Sequence, residues 1–274
     1  MFIKRFLSAV VLIGLTVLIV IPGGYPLAAV LAVLSIIAYR ELLNALGIGL
    51  KNPIEIIGYI DIIIYYLVLV FSKGGVANAV TIFTALISFM SLYVYTYPKY
   101  EIKDIMKGFF AIAYGPMMMG YIYLTRDLPH GQYYFWLILI CSSLSDTFAY
   151  LFGMWLGKSG KHKLAPDLSP KKSVEGAVAG VLGTIISAAI YGYFVGGWVD
   201  NANCVWIFAI IGGIGSVISQ TGDLAASGIK RNTGIKDYGK LIPGHGGIMD
   251  RFDSIIFIAP MIYLLCYVYT KYMM

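Results

Sequence analysis

Charge is what this sequence has least of. Asp, Glu, Lys and Arg make up 12% of its 274 residues against 59% hydrophobic ones, about half the charged share of an ordinary soluble domain. With a mean hydropathy of +0.80, the chain cannot coat a water-soluble core of its own length, which excludes that class and leaves a polytopic membrane protein. Cysteine and histidine are equally sparse, at three each. Cys141, Cys204 and Cys266 stand far apart with no C-x-x-C pair, so neither a zinc site nor a disulfide framework is indicated. The formal charge of +6 does not mark a nucleic-acid binder, because the basic residues fall in short loops between apolar segments instead of on one wet face.

What is present is a series of long apolar runs. At about 20 residues per crossing, they predict an all-α bundle of nine transmembrane helices, at roughly 6–22, 26–44, 54–71, 76–97, 108–124, 134–156, 174–197, 205–226 and 252–270. Lys4-Arg5 ahead of the first run has the form of a signal peptide. The run reaches Pro22 and further spans follow, so it is expected to stay as the first helix. The whole of 1–274 is expected to form a single membrane domain, with helices in 1–133 as scaffold and 134–274 carrying the catalytic helices and loops.

Positive residues give the orientation, since cytoplasmic loops retain them. Assigning the N-terminus and alternate connections to one side collects 17 of the 20 Lys and Arg residues there and leaves Lys73, Arg126 and Lys271 on the other. This predicts a cytoplasmic N-terminus, an outer C-terminus and an odd number of spans. Both long polar connections, 157–173 and 227–251, then face the cytoplasm, where soluble nucleotides are found. A carboxylate in hydrocarbon costs about 2.5–3.5 kcal/mol and is usually paired or functional. Asp61, Asp146, Glu175, Asp223, Asp250 and Asp253 all fall toward that same face.

The stretch Ser227–Asp253, SGIKRNTGIKDYGKLIPGHGGIMDRFD, is unlike the rest of the chain. It brings Lys230, Arg231, Lys236, Lys240 and Arg251 next to Asp237, Asp250 and Asp253, with Gly244, Gly246 and Gly247 around His245. Cations and close backbone amides suit phosphate oxygens, and carboxylates suit a divalent cation. Asp250 and Asp253, three apart, would share a helix face if the ninth helix has begun, with Cβ atoms about 5–6 Å apart. They would then bridge a cation or simply complement the helix N-terminus. Asp223, beside Gly222 after the polar run Ser219-Gln220-Thr221, is the carboxylate expected to complete the metal site. His245 either donates to a phosphate or shapes its loop.

This stretch resembles the signature of the phosphatidate cytidylyltransferases, the CDP-diacylglycerol synthases. Ser227, Lys230-Arg231, Lys236-Asp237, Gly239, Ile242-Pro243, His245-Gly246-Gly247, Asp250-Arg251 and Asp253 meet every constrained position of that pattern, over about a tenth of the chain. The resemblance implies transfer of a cytidylyl group from CTP to phosphatidate at the bilayer. It further implies a requirement for Mg²⁺ held by Asp223 and Asp250, with room for a second cation, and a homodimer. The catalytic set is then Asp223, Asp250, Lys230, Arg231, Lys236, Asp237, His245, Arg251 and Asp253. Ser169-Pro170-Lys171-Lys172-Ser173-Val174-Glu175-Gly176 is similar to a second run of the family, and so is the stretch around Asp146. With Gly244, Gly246 and Gly247, the residues Asp146, Ser169, Lys171, Lys172, Ser173 and Glu175 are expected to bind substrate.

Each motif also has a plainer account. Ser169 before Pro170 reads as a helix cap with proline at the first helical position, followed by positive-inside lysines. Ser142-Ser143-Leu144-Ser145-Asp146-Thr147 suits interhelical hydrogen bonding. Gly176 and Gly180, with Gly212, Gly215, Ser216 and Ser219, suggest close helix packing. Asp61 reads as a partner for a cation or tyrosine. Two rival functions remain: a CTP-dependent kinase of lipid alcohols, which would need a base for the hydroxyl, and an anion transporter, which would need a midplane site open to both sides. The short chain points to a prokaryotic cytoplasmic membrane.

Overall fold

The computed structural model describes residues 14, 19–72, 76–156, 162–199, 203–241 and 246–272. Its helices are α1 (Gly24–Ala45), α2 (Pro53–Phe71), α3 (Val76–Thr96), α4 (Ile102–Ile112), α5 (Met118–Asp127), α6 (Gly131–Leu139), α7 (Ser145–Leu156), α8 (Val174–Val195), α9 (Cys204–Thr233), α10 (Met249–Phe252) and α11 (Ile255–Tyr272). A π-helical turn at Ala113–Met117 joins α4 to α5, and another at Ile140–Leu144 joins α6 to α7. Pro116 lies inside the first of these, where its missing N–H fits a locally widened ladder.

The protein is an all-α polytopic membrane protein. Among the described residues, seven helical runs are long and apolar enough to cross a bilayer: α1, α2, α3, Gly131–Leu156, Val174–Trp198, α9 and α11. They match seven of the nine expected spans. The expected 108–124 span falls on the run from α4 to α5, and the expected 6–22 span lies mostly outside the described residues.

Three local expectations are corrected. Residues Ser169–Ser173 form a strand, β2, paired antiparallel with β1 (Lys163–Ala165), with Lys163 opposite Ser173 and Ala165 opposite Ser169. Pro170 therefore sits in a hairpin and does not open a helix. The cap is Ser173, whose hydroxyl accepts the Gly176 N–H at 3.2 Å. Second, α9 runs to Thr233, so Ser227, Lys230 and Arg231 ride on its last turns, where cations complement the carbonyl end, and do not lie in a loop. Third, α10 is only four residues long, and Asp253 lies in the turn before α11, so Asp250 and Asp253 do not share one continuous helix.

The chain divides into two compact units, Met1–Leu124 with Thr233–Phe252, and Thr125–Asn232 with Asp253–Met274. In the first, α1 to α4 bury Leu42, Ile54, Ile62, Tyr65 and Phe89. Three polar contacts inside it are matched pairs, as lipid offers no substitute for water. The Ser35 and Tyr66 hydroxyls lie 2.7 Å apart, the Tyr65 hydroxyl donates to Asn78 Oδ1 at 3.0 Å, and Ser88 donates to Asp61 Oδ2 at 2.8 Å. Asp61 is thus paired with a serine, where a cation or tyrosine was expected.

In the second unit, α7 and α8 cross where Gly176 and Gly180 face α7. A Cβ on Gly176 would lie 2.6 Å from the Ala149 carbonyl oxygen, and one on Gly180 2.9 Å from that of Ser145. The G-x-x-x-G spacing therefore does what it does in membranes generally, letting two backbones approach. Gly212 gives α9 the same closeness to Thr184 and Ala188 on α8. An aromatic group of Tyr134, Tyr191, Phe208 and Tyr269 fills the far end, with ring centroids 5.9–6.4 Å apart.

Candidate active site

The second unit holds a cavity of about 550 Å³ walled by α7, the β1–β2 hairpin, α8 and α9. One part of its wall is apolar, with Ala149, Tyr150, Met154 and Leu164. The rest carries Asp146, Ser169, Lys171, Lys172, Ser173, Gln220 and Asp223. Both lysines border the cavity from strand β2, just ahead of the start of α8, with Lys171 exposed and Lys172 half-buried. Lys172 forms an ion pair with Asp223. Arg231 Nε donates to the Leu168 carbonyl in the hairpin turn at 3.4 Å, tying the turn to the end of α9. His162 Nδ1 and Glu175 Oε1, 2.6 Å apart, hold the other end of the hairpin against the start of α8.

The floor of the cavity is fixed by Gln220. Its amide nitrogen donates to the Ala177 carbonyl at 3.1 Å and to Ser145 Oγ at 3.3 Å, while Ser145 and Ser216 share a hydroxyl bond at 2.7 Å. Gln220 thus ties α7, α8 and α9 together about one turn before Asp223.

Asp146, Asp223 and Asp253 are near enough to act on one another electrostatically. The Asp253 carboxyl is pushed up to about 7, first by burial and then by the Asp223 charge. Lys230 and the Ser254 amide pull the other way, and Asp146 adds a smaller push. Ser254 N–H donates to Asp253 Oδ1 at 2.8 Å.

The first unit holds the other end of the signature. Asp250 is buried, and its Oδ2 accepts the Tyr238 N–H at 2.8 Å and the Gly247 N–H at 3.0 Å. Gly246 has φ +82°, and a Cβ there would meet Asp250 Oδ2 at 2.7 Å, so glycine is required on both counts. Glu41, on α1 and only 7% exposed, accepts the Ile248 N–H at 3.1 Å and the Met249 N–H at 2.8 Å, one on each carboxylate oxygen. Sequence reasoning missed it: an acid beside Arg40 near the end of an apolar span is the one local signal, and a partner some two hundred positions away leaves no other.

The structure therefore gathers Asp146, Ser169, Lys171, Lys172, Ser173 and Asp223 around one cavity, with Glu175 at its hairpin and Lys230 and Asp253 close enough to interact. It places Asp250, Gly246 and Gly247 in one hydrogen-bonded loop. Lys236, Asp237 and Arg251 are exposed. Gly244 and His245 lie outside the described residues. Among the described residues, no three His, Cys, Asp or Glu side chains form a ready-made metal cage. Mg²⁺ does not need one, since it keeps several waters and binds through one or two carboxylates plus substrate phosphates. The hard oxygen donors of the cavity fit it.

A bundle of apolar helices with a lysine- and carboxylate-lined cavity is the frame of a membrane enzyme that handles phosphates. A family model described as the Cytidylyltransferase family matches residues 3–269. The chain is 34% identical over 264 residues to a phosphatidate cytidylyltransferase of Staphylococcus saprophyticus, covering 95% of this chain and 97% of that one. Proteins of the same name from Staphylococcus haemolyticus and Staphylococcus aureus (strain COL) are 33% and 34% identical, over the same shares of each chain. The chain belongs to the cytidylyltransferase family.

Proposed function

We propose that this protein transfers the cytidylyl group of CTP to phosphatidate, giving CDP-diacylglycerol and pyrophosphate, a step of phospholipid biosynthesis. The observation that carries the reading is the cavity in which Lys171 and Lys172 on β2 meet Asp223 on α9 and Asp146 on α7. Family membership over nearly the whole chain supports it.

A phosphate oxygen of phosphatidate attacks the α-phosphorus of CTP, and the bond to the β-phosphate oxygen breaks in line with it. The attacking group is itself an anion, so no protein nucleophile and no base are needed. The barrier is the repulsion of two polyanions, and the chain's contribution is to hold them together and offset their charge. Lys171 and Lys172 present ammonium groups to phosphate oxygens, with the Ser169 and Ser173 hydroxyls beside them. Lys230 and Arg231 add positive charge from the last turns of α9. Bound Mg²⁺ supplies charge neutralisation on the triphosphate and the leaving pyrophosphate. Asp223 is its proposed ligand in the cavity, and the assignment of Asp250 as a second ligand rests on the sequence signature. The apolar part of the cavity wall suits the start of the lipid's glycerol and acyl portion, whose chains stay in the bilayer. The positive-residue count supports a site opening to the cytoplasm. A homodimer rests on the family resemblance and is read by crosslinking in detergent.

The test is incorporation of α-labelled CTP into chloroform-soluble product by purified protein, with and without phosphatidate and Mg²⁺, alongside Asp223→Asn. The expected result is product that requires both and falls by about a thousandfold in the variant, the size of losing a principal electrostatic contact. Phosphatidate-independent labelling, or transfer of label from γ-labelled CTP to a lipid alcohol, overturns the reading in favour of a kinase.

A further inference from the structure

Glu41 has no place in the signature, yet it is the residue on which the end of the signature rests. Its carboxylate is buried in a membrane-spanning helix, a costly position for a charge without a purpose. Both oxygens are used, each by a backbone N–H: Oε1 by Ile248 and Oε2 by Met249. These amides open α10, where a helix leaves its first N–H groups without partners of their own. The next residue is Asp250, whose Oδ2 turns back to the Tyr238 and Gly247 amides. Two carboxylates thus pin one loop at four amides, and one of the two belongs to α1.

The glycines of the signature fit around this acid. The nearest atoms to a Cβ built on Gly239 or on Gly247 are those of the Glu41 carboxylate, and the Gly239 position also lies 3.1 Å from Gly247 Cα. Neither place has room for a methyl group. The small residue at 239 and the second glycine after His245 are explained by the seat of Glu41, with no need for a ligand at either.

We infer that Glu41 is a positioning residue for the reaction proposed above: it sets where Gly246, Gly247 and Asp250 stand by holding the Ile248 and Met249 amides. The inference rests on that reaction for its kinetic arm and on amide exchange for its structural arm. Glutamine has the shape of glutamate but places an NH₂ donor against one of two N–H donors. Aspartate is shorter but keeps the charge and both acceptors.

The experiment measures kcat, KM and amide hydrogen exchange of the detergent-solubilised full chain for wild type, Glu41→Gln and Glu41→Asp. The expected result is a kcat in the order wild type, Glu41→Asp, Glu41→Gln, with the glutamine variant down about 10- to 100-fold, the scale of an ångström-level misplacement. KM for CTP and phosphatidate stays within about threefold, since the loss is one of alignment. Exchange at Ile248 and Met249 speeds up. The inference is overturned by a near-normal kcat in Glu41→Gln, by unchanged exchange at those two amides, or by the reverse order of the variants, which would make the residue a matter of shape. If Glu41→Gln does not fold, Gly239→Ala presses on the same carboxylate and must lower kcat and speed the same amides; a normal kcat there overturns the clamp. A wild type without phosphatidate-dependent product overturns the reaction, and the exchange data still decide the clamp.

Discussion

Replacing Gly176 by alanine would push a methyl group into the place where α7 and α8 touch. The new Cβ would lie 2.6 Å from the Ala149 carbonyl oxygen and 3.1 Å from Gly153 Cα. Both obstacles are backbone, so no side-chain rotation relieves them. Restoring ordinary contact requires the helices to part by about 0.8 Å, and overpacking of this kind costs about 1–3 kcal/mol. The cavity wall moves with them, because Asp146 and Ala149 stand on α7 while Lys172 and Ser173 lie just ahead of Gly176. A shift near 1 Å costs up to about 100-fold in rate. Thermal unfolding in detergent and the α-labelled CTP assay should therefore both register Gly176→Ala, the second more sharply. Gly153→Ala, facing the same crossing, is the control: its Cβ would meet Ser173 Oγ at 3.4 Å and Gly176 Cα at 3.6 Å, which are ordinary contacts. Wild-type stability and rate in Gly176→Ala, or an equal loss in Gly153→Ala, would refute the argument that this crossing is closed by backbone contact.

Three further outcomes follow from the geometry. Lys172→Met leaves Asp223 without its ion-pair partner and removes a cation from the cavity, so activity should fall more than 100-fold with KM for the polyanionic substrates raised; an unchanged KM would place Lys172 outside substrate binding. Ser173→Ala deletes the cap on α8 and should cost about 1 kcal/mol, seen as a lower melting temperature. For Asp253, raised to about 7 from an unfolded value near 3.9, the folded state holds a proton that the unfolded state gives up. Its stabilising share is therefore complete below about pH 4 and is lost as pH rises to about 7, by up to about 1.4 kcal/mol per unit. In EDTA, Asp253→Asn should flatten the decline of melting temperature across that window, and a parallel decline in the two proteins would contradict the assignment.

The spans were legible because hydrocarbon demands long apolar runs, and seven of them stand where hydropathy put them. The G-x-x-x-G contact was legible because small residues at helical spacing have one main use in a bilayer. The hairpin was not, since Ser-Pro followed by polar residues is also how a helix begins, and only pairing with Lys163–Ala165 tells the two apart. The end of α9 was misplaced because lysine and arginine end an apolar run without ending a helix. Glu41 escaped altogether: its partners are 207 and 208 positions away, and an acid beside an arginine at a helix end resembles ordinary interfacial charge. Local pattern carries local structure, whereas the loop that holds Asp250 is shaped by a contact no window of sequence contains.

The length of α9 works as a depth gauge. The helix has 30 residues, or about 45 Å at 1.5 Å per residue, half as long again as the hydrocarbon layer is thick. Counted from Cys204, the first 30 Å or so ends near Asp223, and the remaining turns carry Lys230 and Arg231 beyond it. With Cys204 at one boundary of the bilayer, Asp223 stands at the level where the phosphate of a membrane lipid already floats. For the reaction proposed at Asp223, a lipid substrate would then stay in its leaflet while the water-soluble nucleotide makes the descent.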